Sequence, residues 1–247
     1  MFAEERRKRI LDDLIRLGRV TVQDLASHLQ VSEDTIRRDL KHLADHGYLQ
    51  KTHGGAVMLD TPRLTYTQRA SVLSTNKVRI GQAAARMIQP EQTVFIDAGS
   101  TTLAAAQALS EQDLHLTVIT NSLEVAHCFE HKSTVQLIVT GGLWNQTLRH
   151  FHGHTCVQTI QEFRADVALI GAAALHPTAG NTTPYQEDAL VKRAIFSSSI
   201  RRMVLTDHTK LGLVSSSFIA PTSEIDVLVT DGNLEGWQEW VPEVVLA

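Results

Sequence analysis

The chain has 247 residues, 43% of them hydrophobic and 20% charged, with a formal net charge of −4 at pH 7. This composition is ordinary for a globular protein, and the length suits a small domain followed by a larger one. The two cysteines, Cys128 and Cys156, have no spacing that fits a zinc finger or a disulfide framework, and no apolar run approaches the ~18 residues of a membrane span. Because the charged start from Glu4 to Arg9 also lacks the apolar core of a secretion signal, we expect a cytoplasmic protein.

The first 57 residues predict a winged helix. A first helix is expected from Glu4 to Leu17, ended by Gly18, and a helix-turn-helix motif from Val20 to Asp39. Thr21 is the expected cap of the second helix, whose apolar residues recur at helical spacing in Val22, Leu25, Ala26 and Leu29.

The third helix is amphipathic, as a DNA-recognition helix would be. Ser32 is its expected N-cap, and Gly47 stands where a left-handed residue would end it. At helical pitch one face is apolar and the other polar. The apolar stripe consists of Ile36, Leu40 and Leu43, and the opposite face carries Thr35, Arg38 and His42.

A strand from Tyr48 to Lys51 and a tight turn at His53-Gly54-Gly55 predict a β-wing after this helix. Thr35 and Arg38 are the expected base contacts, because they lie on the exposed face of the helix. Ser32 joins the predicted DNA-binding set at the helix start, and the expected phosphate contacts are Arg37, Lys41, Lys51 and His53. A three-helix protein-interaction module is the alternative that this pattern leaves open.

The charge of this segment is close to neutral. Residues 1–57 hold ten Lys and Arg against nine Asp and Glu, a net charge of +1, and the remainder holds 13 against 18. Phosphate attraction by a single copy is then modest, so a homo-oligomer, a dimer or a tetramer, is expected to bind the DNA.

After a linker at 58–76, residues 77–247 predict an α/β domain with an open, mostly parallel sheet. A helix from Lys77 to Ile88 comes first, and continuous apolar strands then alternate with helices. The predicted strands are Thr93–Ile96, Leu116–Thr120, Val135–Thr140, Val167–Ile170, Met203–Thr206 and Val227–Thr230. The predicted helices between them include Thr101–Leu109, Leu123–Phe129 and Ala189–Ser198.

Polar and glycine residues follow these strands, at the sheet edge where ligands bind in such folds. The segment from Asp97 to Thr102 suits a phosphate, because a glycine and three hydroxyls precede a helix N-terminus. Lysine and carboxylate groups further along the chain could hold the rest of a polyol phosphate. The predicted effector-binding residues are Asp97, Gly99, Ser100, Thr101, Thr102, Asn121, Ser122, Gly141, Gly142, Lys192, Asp207 and Lys210. The alternative is that they are turn residues, with Asp97 and Ser100 as helix caps.

Both halves resemble the DeoR family of bacterial transcription regulators. In the first half the family's motifs stand as Thr-Ile-Arg-Arg-Asp-Leu at Thr35 to Leu40 and His-Gly-Gly-Ala at His53 to Ala56. In the second half they stand at Asp97 to Thr101, Thr120 to Ser122, Gly141-Gly142, Lys192 and Asp207 to Lys210. The resemblance implies a phosphorylated sugar or a related intermediate as effector, and a sensor fold similar to ribose-5-phosphate isomerase and the coenzyme A transferases.

We therefore expect a regulator, most simply a repressor, in which effector binding shifts the population of domain arrangements and so changes affinity for double-stranded operator DNA. The segment from Val57 to Asn76 is the expected coupling element, by its position alone. An isomerase-like enzyme is the alternative raised by the fold. In that alternative Asp97 or Asp207 would be the carboxylate base, and Lys210 would be the lysine near the sugar phosphate. The DNA-binding half makes regulation the simpler interpretation, and no enzyme activity is expected.

A histidine-rich segment offers a metal-responsive regulator as a second hypothesis. If Arg149 to Cys156 ran as one strand, four possible ligands would share a face at period two: His150, His152, His154 and Cys156. Against this, Gly153 is expected to end the strand before a helix over Thr155 to Phe163. No dinucleotide fingerprint, phosphate loop or nucleophile elbow occurs in the sequence, so no cofactor is expected.

Overall fold

A computed structural model describes residues 2–45, 48–58, 66–71, 74–232 and 236–247. Contacts divide the chain into two units, Met1–Val72 and Leu73–Ala247. Each unit has its own core, and the predicted domain boundaries at residues 57 and 77 stay a prediction.

The first unit is a winged helix, as predicted. Its elements are α1 (Ala3–Leu17), β1 (Arg19–Thr21), α2 (Val22–Leu29), α3 (Glu33–Asp45), β2 (Leu49–Thr52), β3 (Gly55–Met58) and α4 (Tyr66–Ser71). The hairpin β2–β3 forms the wing, and β1 pairs with β3 to complete a three-stranded antiparallel sheet. The sequence pattern missed β1, because three residues are too few to show a period.

Local signals set the helix ends in this unit. Gly18 adopts a left-handed conformation at φ 71° and donates its N–H to Leu14, which ends α1 as predicted. The Thr21 side chain accepts a hydrogen bond from the Asp24 N–H and caps α2. Gln30 is also left-handed, at φ 53°, and turns the chain from α2 toward α3. Gly47, the predicted C-cap of α3, lies outside the described residues.

The second unit alternates strands and helices. Its first half contains α5 (Ser74–Ala85), β4 (Thr93–Ile96), α6 (Ser100–Ser110), β5 (Leu116–Thr120), α7 (Leu123–Phe129), β6 (Val135–Val139), β7 (Leu143–Asn145) and β8 (His150–His152). Its second half contains α8 (His154–Gln161), β9 (Ala165–Gly171), β10 (Ala174–His176), β11 (Gly180–Thr183), α9 (Gln186–Ser197), β12 (Ser199–Leu205), β13 (Ser217–Ala220), β14 (Val227–Thr230) and β15 (Glu243–Leu246). Helix α5 thus starts three residues before the predicted Lys77, and α4 occupies part of the predicted linker; residues 59–65 and 72–73 of that linker lie outside the described residues.

A seven-stranded sheet in the order β15-β14-β12-β9-β4-β5-β6 organises this unit, and every neighbouring pair in it is parallel. The prediction of a mostly parallel α/β sheet is confirmed. The six predicted strands match β4, β5, β6, β9, β12 and β14. The edge strand β15 and two small antiparallel sheets, β7–β8 and β10-β11-β13, were not predicted.

Both faces of the sheet are buried, which explains the continuous apolar strands. Phe95 packs on one face with residues of α8 and α9, whereas its neighbours Val94 and Ile96 pack on the other with residues of α5, α6 and α7. Because the strands are parallel, their carboxyl ends meet at one edge of the sheet. None of the described helices combines the length and apolar character needed to span a bilayer.

Candidate functional site

The recognition helix α3 buries one face and exposes the other. Ile36 and Leu40 are fully buried, while Arg37, Arg38 and Lys41 are exposed. Thr35 is half-buried beside them. The predicted DNA contacts of this helix are therefore accessible, and its apolar stripe supports them.

Ser32 begins α3 as predicted. Its hydroxyl accepts a hydrogen bond from the Thr35 N–H at 3.3 Å and lies 2.9 Å from the Thr35 hydroxyl. One turn later, Arg37 Nη2 donates to Glu33 Oε2 at 2.8 Å, with both side chains about half exposed. An exposed pair of this kind contributes little to stability, so Arg37 remains available to a phosphate.

Asp39 ties α3 to α1 and was not predicted to have a role. Its carboxylate is almost fully buried and accepts hydrogen bonds from Arg6 Nε at 2.6 Å and Arg7 Nε at 3.0 Å. Two basic residues of α1 thus hold the recognition helix in place. The sequence offered one indication of this role: Asp39 directly precedes the buried Leu40 and flanks the apolar stripe of the helix.

The wing presents the remaining predicted contacts. Lys51 and His53 are exposed on β2 and in the turn after it. Gly55 starts β3 in contact with β1, where a Cβ would lie 1.9 Å from the Val20 carbonyl oxygen. Only glycine allows β1 and β3 to approach this closely.

In the second unit, Asp97 and Lys192 form a buried ion pair. Asp97 directly follows β4, Lys192 lies on α9, and both side chains are almost fully excluded from solvent. Asp97 Oδ2 also accepts the Gly171 N–H at 3.1 Å, and Lys192 Nζ donates to the Gly171 carbonyl oxygen at 3.2 Å. Burial raises the pKa of Asp97, and the ammonium of Lys192 opposes that rise.

The ion pair continues into a network that sequence reasoning missed. Asp188 Oδ1 lies 3.8 Å from Lys192 Nζ and 3.6 Å from His150 Nδ1. The other oxygen, Asp188 Oδ2, accepts the Thr183 hydroxyl at 2.8 Å. The spacing of Asp188 and Lys192, four residues apart on α9, was the signal for this pair.

Two buried polar atoms of this network, Asp97 Oδ1 and His150 Nε2, have no hydrogen-bond partner among the described residues, and neither do the side-chain amide atoms of Asn181 on β11. Buried polar atoms are normally paired, so unpaired ones suggest a missing ligand or water.

The segment after β4 is built differently from a simple capped turn. Gly99 is the N-cap of α6 and has no side-chain cap, so the alternative in which Asp97 and Ser100 cap this helix is wrong. The Thr102 hydroxyl donates to the backbone oxygens of Asp97 at 2.6 Å and Gly99 at 3.0 Å. The first N–H groups of α6, at Ser100 and Thr101, lack acceptors within the helix.

The loops after β5 and β6 use their polar residues to hold the backbone. Asn121 Oδ1 accepts the Ala98 N–H at 3.0 Å, and Nδ2 donates to the Phe151 carbonyl oxygen at 3.2 Å. Ser122 caps α7 through the Val125 N–H. These residues shape the site edge, and their direct contact with an effector stays a prediction.

Glycines bring the loop after β6 close to β8. Gly141 and Gly142 both have positive φ, at 64° and 110°. A Cβ on Gly142 would lie 2.6 Å from the His152 carbonyl oxygen. Both residues therefore have a structural reason to be glycine.

Asp207 and Lys210 lie in the loop after β12, beside the end of β9. Asp207 is buried, and its side chain accepts the Thr209 N–H at 3.1 Å, capping a short 3-10 turn over His208–Lys210. Lys210 is half-buried. Topology brings this pair to the same sheet edge as Asp97, and the part it takes in effector binding stays a prediction.

The geometry required by the metal hypothesis is not formed. The strand ends at His152, Gly153 breaks it at φ 87° as predicted, and α8 begins at His154. His154 is exposed, whereas Cys156 is buried and faces the Thr140 hydroxyl at 3.3 Å, where burial raises the pKa of its thiol. The described ranges contain no group of three or more His, Cys, Asp or Glu side chains placed to hold a metal ion.

Comparison with known proteins matches both units. Residues 6–62 match a family model described as the DeoR-like helix-turn-helix domain, and residues 73–232 match the DeoR C terminal sensor domain. The HTH-type transcriptional repressor GlcR of Bacillus subtilis is 34% identical over 233 residues, which cover 94% of this chain and 89% of that protein. A putative aga operon transcriptional repressor of Escherichia coli O157:H7 is 30% identical over 251 residues, covering 98% and 93%.

Among solved structures, ribose 5-phosphate isomerase A of Methanocaldococcus jannaschii aligns over 55% of this chain and 53% of that chain, at a TM-score of 0.41 and 16% identity. A similarity of this size carries no functional argument. The sequence relatives are named as transcriptional regulators and repressors, not as enzymes. With both family models matched and the winged helix and parallel sheet in place, the chain belongs to the DeoR family of DNA-binding transcription regulators.

Proposed function

We propose that this regulator represses a carbohydrate-metabolism operon and that a phosphorylated sugar, bound in the second unit, modulates its affinity for the operator. The observation that carries the proposal is the buried Asp97–Lys192 pair at the carboxyl edge of the sheet, where Asp97 Oδ1 has no hydrogen-bond partner among the described residues. A buried charged network with unused hydrogen-bonding capacity suits a polar, hydroxyl-rich ligand.

The phosphate end of the ligand is proposed to bind at the first turn of α6. Gly99 leaves the backbone accessible there, and Ser100 and Thr101 offer hydroxyls next to N–H groups that lack helical acceptors. The remaining proposed contacts line the same sheet edge: Thr102, Asn121, Ser122, Gly141, Gly142, Lys192, Asp207 and Lys210.

The DNA-binding surface is proposed to read bases with Thr35 and Arg38. The flanking cations, Arg37, Lys41, Lys51 and His53, are proposed to contact phosphates. Because the net charge of residues 1–57 is only +1, we propose that a cytoplasmic homo-oligomer binds paired operator half-sites.

Coupling between effector and operator is proposed to run through the segment from Val57 to Asn76. Its last residue belongs to the described part of the chain: Asn76 Nδ2 donates to Asp231, which also accepts the His208 N–H at 2.8 Å. That contact joins the start of α5 to the loop that carries Asp207 and Lys210. Two hydrogen bonds through Asp231 therefore connect this loop to the last residue of the linker.

Two assays test the proposal on the full chain. A thermal-shift screen with ribose 5-phosphate, glucose 6-phosphate, fructose 6-phosphate and inorganic phosphate is expected to show a rise in melting temperature for a sugar phosphate, because ligand in excess stabilises the folded state by a few kcal/mol. Fluorescence anisotropy with promoter DNA measures operator binding. No shift with any sugar phosphate would remove the effector assignment and leave the DNA-binding assignment intact.

Two variants separate the roles of the two units. Arg38→Ala is expected to abolish specific operator binding and to leave the sugar-phosphate thermal shift unchanged. Lys210→Ala is expected to weaken the thermal shift and to leave operator binding unchanged. Loss of both activities in Arg38→Ala would contradict this division, and an unchanged thermal shift in Lys210→Ala would remove that residue from the site.

A further inference from the structure

His150 has a buried ring nitrogen whose hydrogen-bonding capacity is unused within the described part of the chain. The residue is 1% exposed and lies at the start of β8, and its Nε2 atom has no described hydrogen-bond partner. A buried polar atom that loses its water without gaining another partner destabilises the folded state. Nothing in the effector contacts proposed above uses this atom.

The surroundings of His150 indicate which of its nitrogens carries the proton. Nδ1 faces Asp188 Oδ1 at 3.6 Å, and a carboxylate can only accept. The charge of Asp188 therefore favours the proton on Nδ1, which leaves Nε2 as a bare acceptor. Burial lowers the pKa of His150 to about 4, so the ring is neutral at neutral pH.

A second acceptor without a described partner belongs to the same network. Asp97 Oδ1 is buried and unpaired, while Oδ2 of the same carboxylate is held by Lys192 and the Gly171 N–H. Lys192 Nζ lies 3.8 Å from Asp188 Oδ1, so Asp97, Lys192, Asp188 and His150 follow one another in space. A ligand with at least two donors could satisfy both of these acceptors at once.

The charge of this network decides between a hydroxyl and a phosphate. Two carboxylates, Asp97 and Asp188, stand against one ammonium, Lys192, and His150 is neutral. A phosphate here would meet excess negative charge in a buried place and would offer acceptors to acceptors. Hydroxyl groups supply the missing protons without added charge.

We infer that His150 is a specificity-determining residue of the effector site, with Nε2 accepting a hydrogen bond from one ligand hydroxyl and Asp97 Oδ1 from another. This inference rests on the proposed sugar-phosphate function and orients the ligand, with its hydroxyls toward His150 and Asp97 and its phosphate away from them. His150 thus favours sugar phosphates that carry a hydroxyl at the position facing Nε2.

A thermodynamic cycle tests this assignment on the full chain. The sugar phosphate that binds the unmodified chain best, among ribose 5-phosphate, glucose 6-phosphate and fructose 6-phosphate, is compared by calorimetry with its monodeoxy analogues, one for each hydroxyl. One analogue is expected to bind about tenfold more weakly, the size of one lost hydrogen bond. In His150→Phe, which keeps a ring and removes both nitrogens, that analogue and the parent sugar phosphate are expected to bind within twofold of each other.

The matched control is His154→Phe, since His154 is exposed at the start of α8. This variant is expected to keep the tenfold preference. If the affinity of every analogue, relative to the parent sugar phosphate, falls by the same factor in His150→Phe as in the unmodified chain, His150 does not select a hydroxyl and the inference is overturned. If no sugar phosphate binds the unmodified chain at all, the proposed function fails, and the inference fails with it.

Two further measurements guard against a variant that does not fold. His150→Gln retains polar atoms at different positions, and the preference for the same hydroxyl is expected to change by at least fivefold. Nitrogen-15 NMR of the histidine side chains, without any ligand, is expected to show a neutral His150 protonated on Nδ1 at pH 7. A proton on Nε2 would contradict the acceptor role directly.

Discussion

Lys192 places a positive charge in the protein interior, where Asp97 is its closest partner. Their separation of 95 positions along the chain means that neither residue is stabilised until β4 and α9 have come together. Removal of Lys192 leaves the carboxylate of Asp97 buried without its ammonium partner. Such a loss costs far more than the net contribution of the pair itself.

Lys192→Met is therefore expected to destabilise the second unit by about 3–5 kcal/mol. The double variant Asp97→Asn with Lys192→Met is expected to recover a large part of that loss, because no buried charge of the pair remains. Urea unfolding followed by tryptophan fluorescence measures this unit alone, since Trp144, Trp237 and Trp240 are the three tryptophans of the chain and all lie in it. A double variant no more stable than Lys192→Met would show that the cost is not electrostatic.

His150 predicts a pH dependence of stability with a definite sign. Burial lowers its pKa from 6.5 to about 4, Asp188 opposes the shift, and Lys192 and His152 add to it. The folded state therefore disfavours the protonated ring. The resulting stability is fully present above about pH 6.5, and it is lost as pH falls toward 4.

Between pH 7 and pH 4, His150→Phe is expected to lose about 3 kcal/mol less of its free energy of unfolding than the unmodified chain. Unfolding in urea at both pH values measures the difference. His154→Phe is the control and is expected to follow the unmodified chain. Equal pH dependence in His150→Phe and the unmodified chain would mean that His150 is not buried in its neutral form.

At the scale of elements, one contact positions the recognition helix and another positions the wing. Asp39 on α3 holds Arg6 and Arg7 of α1, and β1 pairs with β3 so that the wing stays beside the core. Arg6, Arg7 and Asp39 lie within predicted elements, but neither their contact nor the pairing of β1 with β3 was predicted. The wing is positioned by a close backbone approach and not by its own turn.

Gly55→Ala is expected to disrupt the pairing of β1 with β3, because the added methyl group would lie 1.9 Å from the Val20 carbonyl oxygen. Overpacking of this kind costs about 1–3 kcal/mol, so the amide protons of Val20 and Ala56 are expected to exchange about tenfold faster or more. Gly54→Ala is the matched control, since no atom lies within 4 Å of a Cβ added there. Similar exchange rates in the two variants would contradict the close approach as the cause.

At the scale of the whole molecule, the proposed switch must obey reciprocity. If a sugar phosphate weakens operator binding by some factor, operator DNA must weaken sugar-phosphate binding by the same factor. Couplings of this type are typically between about fivefold and 150-fold. The proposal therefore links two affinities that are measured independently.

We expect that saturating operator DNA changes the dissociation constant of the best-binding sugar phosphate by the same factor that this sugar phosphate imposes on the operator. Calorimetry with and without DNA, and anisotropy with and without sugar phosphate, give the two factors. In Arg38→Ala, which is expected not to bind the operator, added DNA should leave sugar-phosphate affinity unchanged. Unequal factors in the unmodified chain would mean that the two ligands do not act on one shared equilibrium.

Features that depend on interactions within one element could be predicted from the sequence, whereas contacts between distant elements could not. Helical periodicity located the buried Ile36 and Leu40, and the continuous apolar strands indicated a sheet buried on both faces. The hypothesis for His150 to Cys156 also depended on local periodicity, and Gly153 at φ 87° ended the strand that it needed. The contacts of the buried ion-pair network with His150 and with Asp97 could not be predicted, because those residues come from elements whose neighbours are set by tertiary packing.

The sequence by itself determined the winged helix, the parallel α/β class and the family, because each depends on patterns within one element or on motifs of a few residues. Only the tertiary structure decided which polar side chains bond to the backbone, as those of Thr102 and Asn121 do, and which are buried with an atom that lacks a described partner, as those of Asp97 and His150 are. The physical reason is that burial and pairing depend on strand order and close approach between distant elements, and these arise only when the whole sheet has assembled.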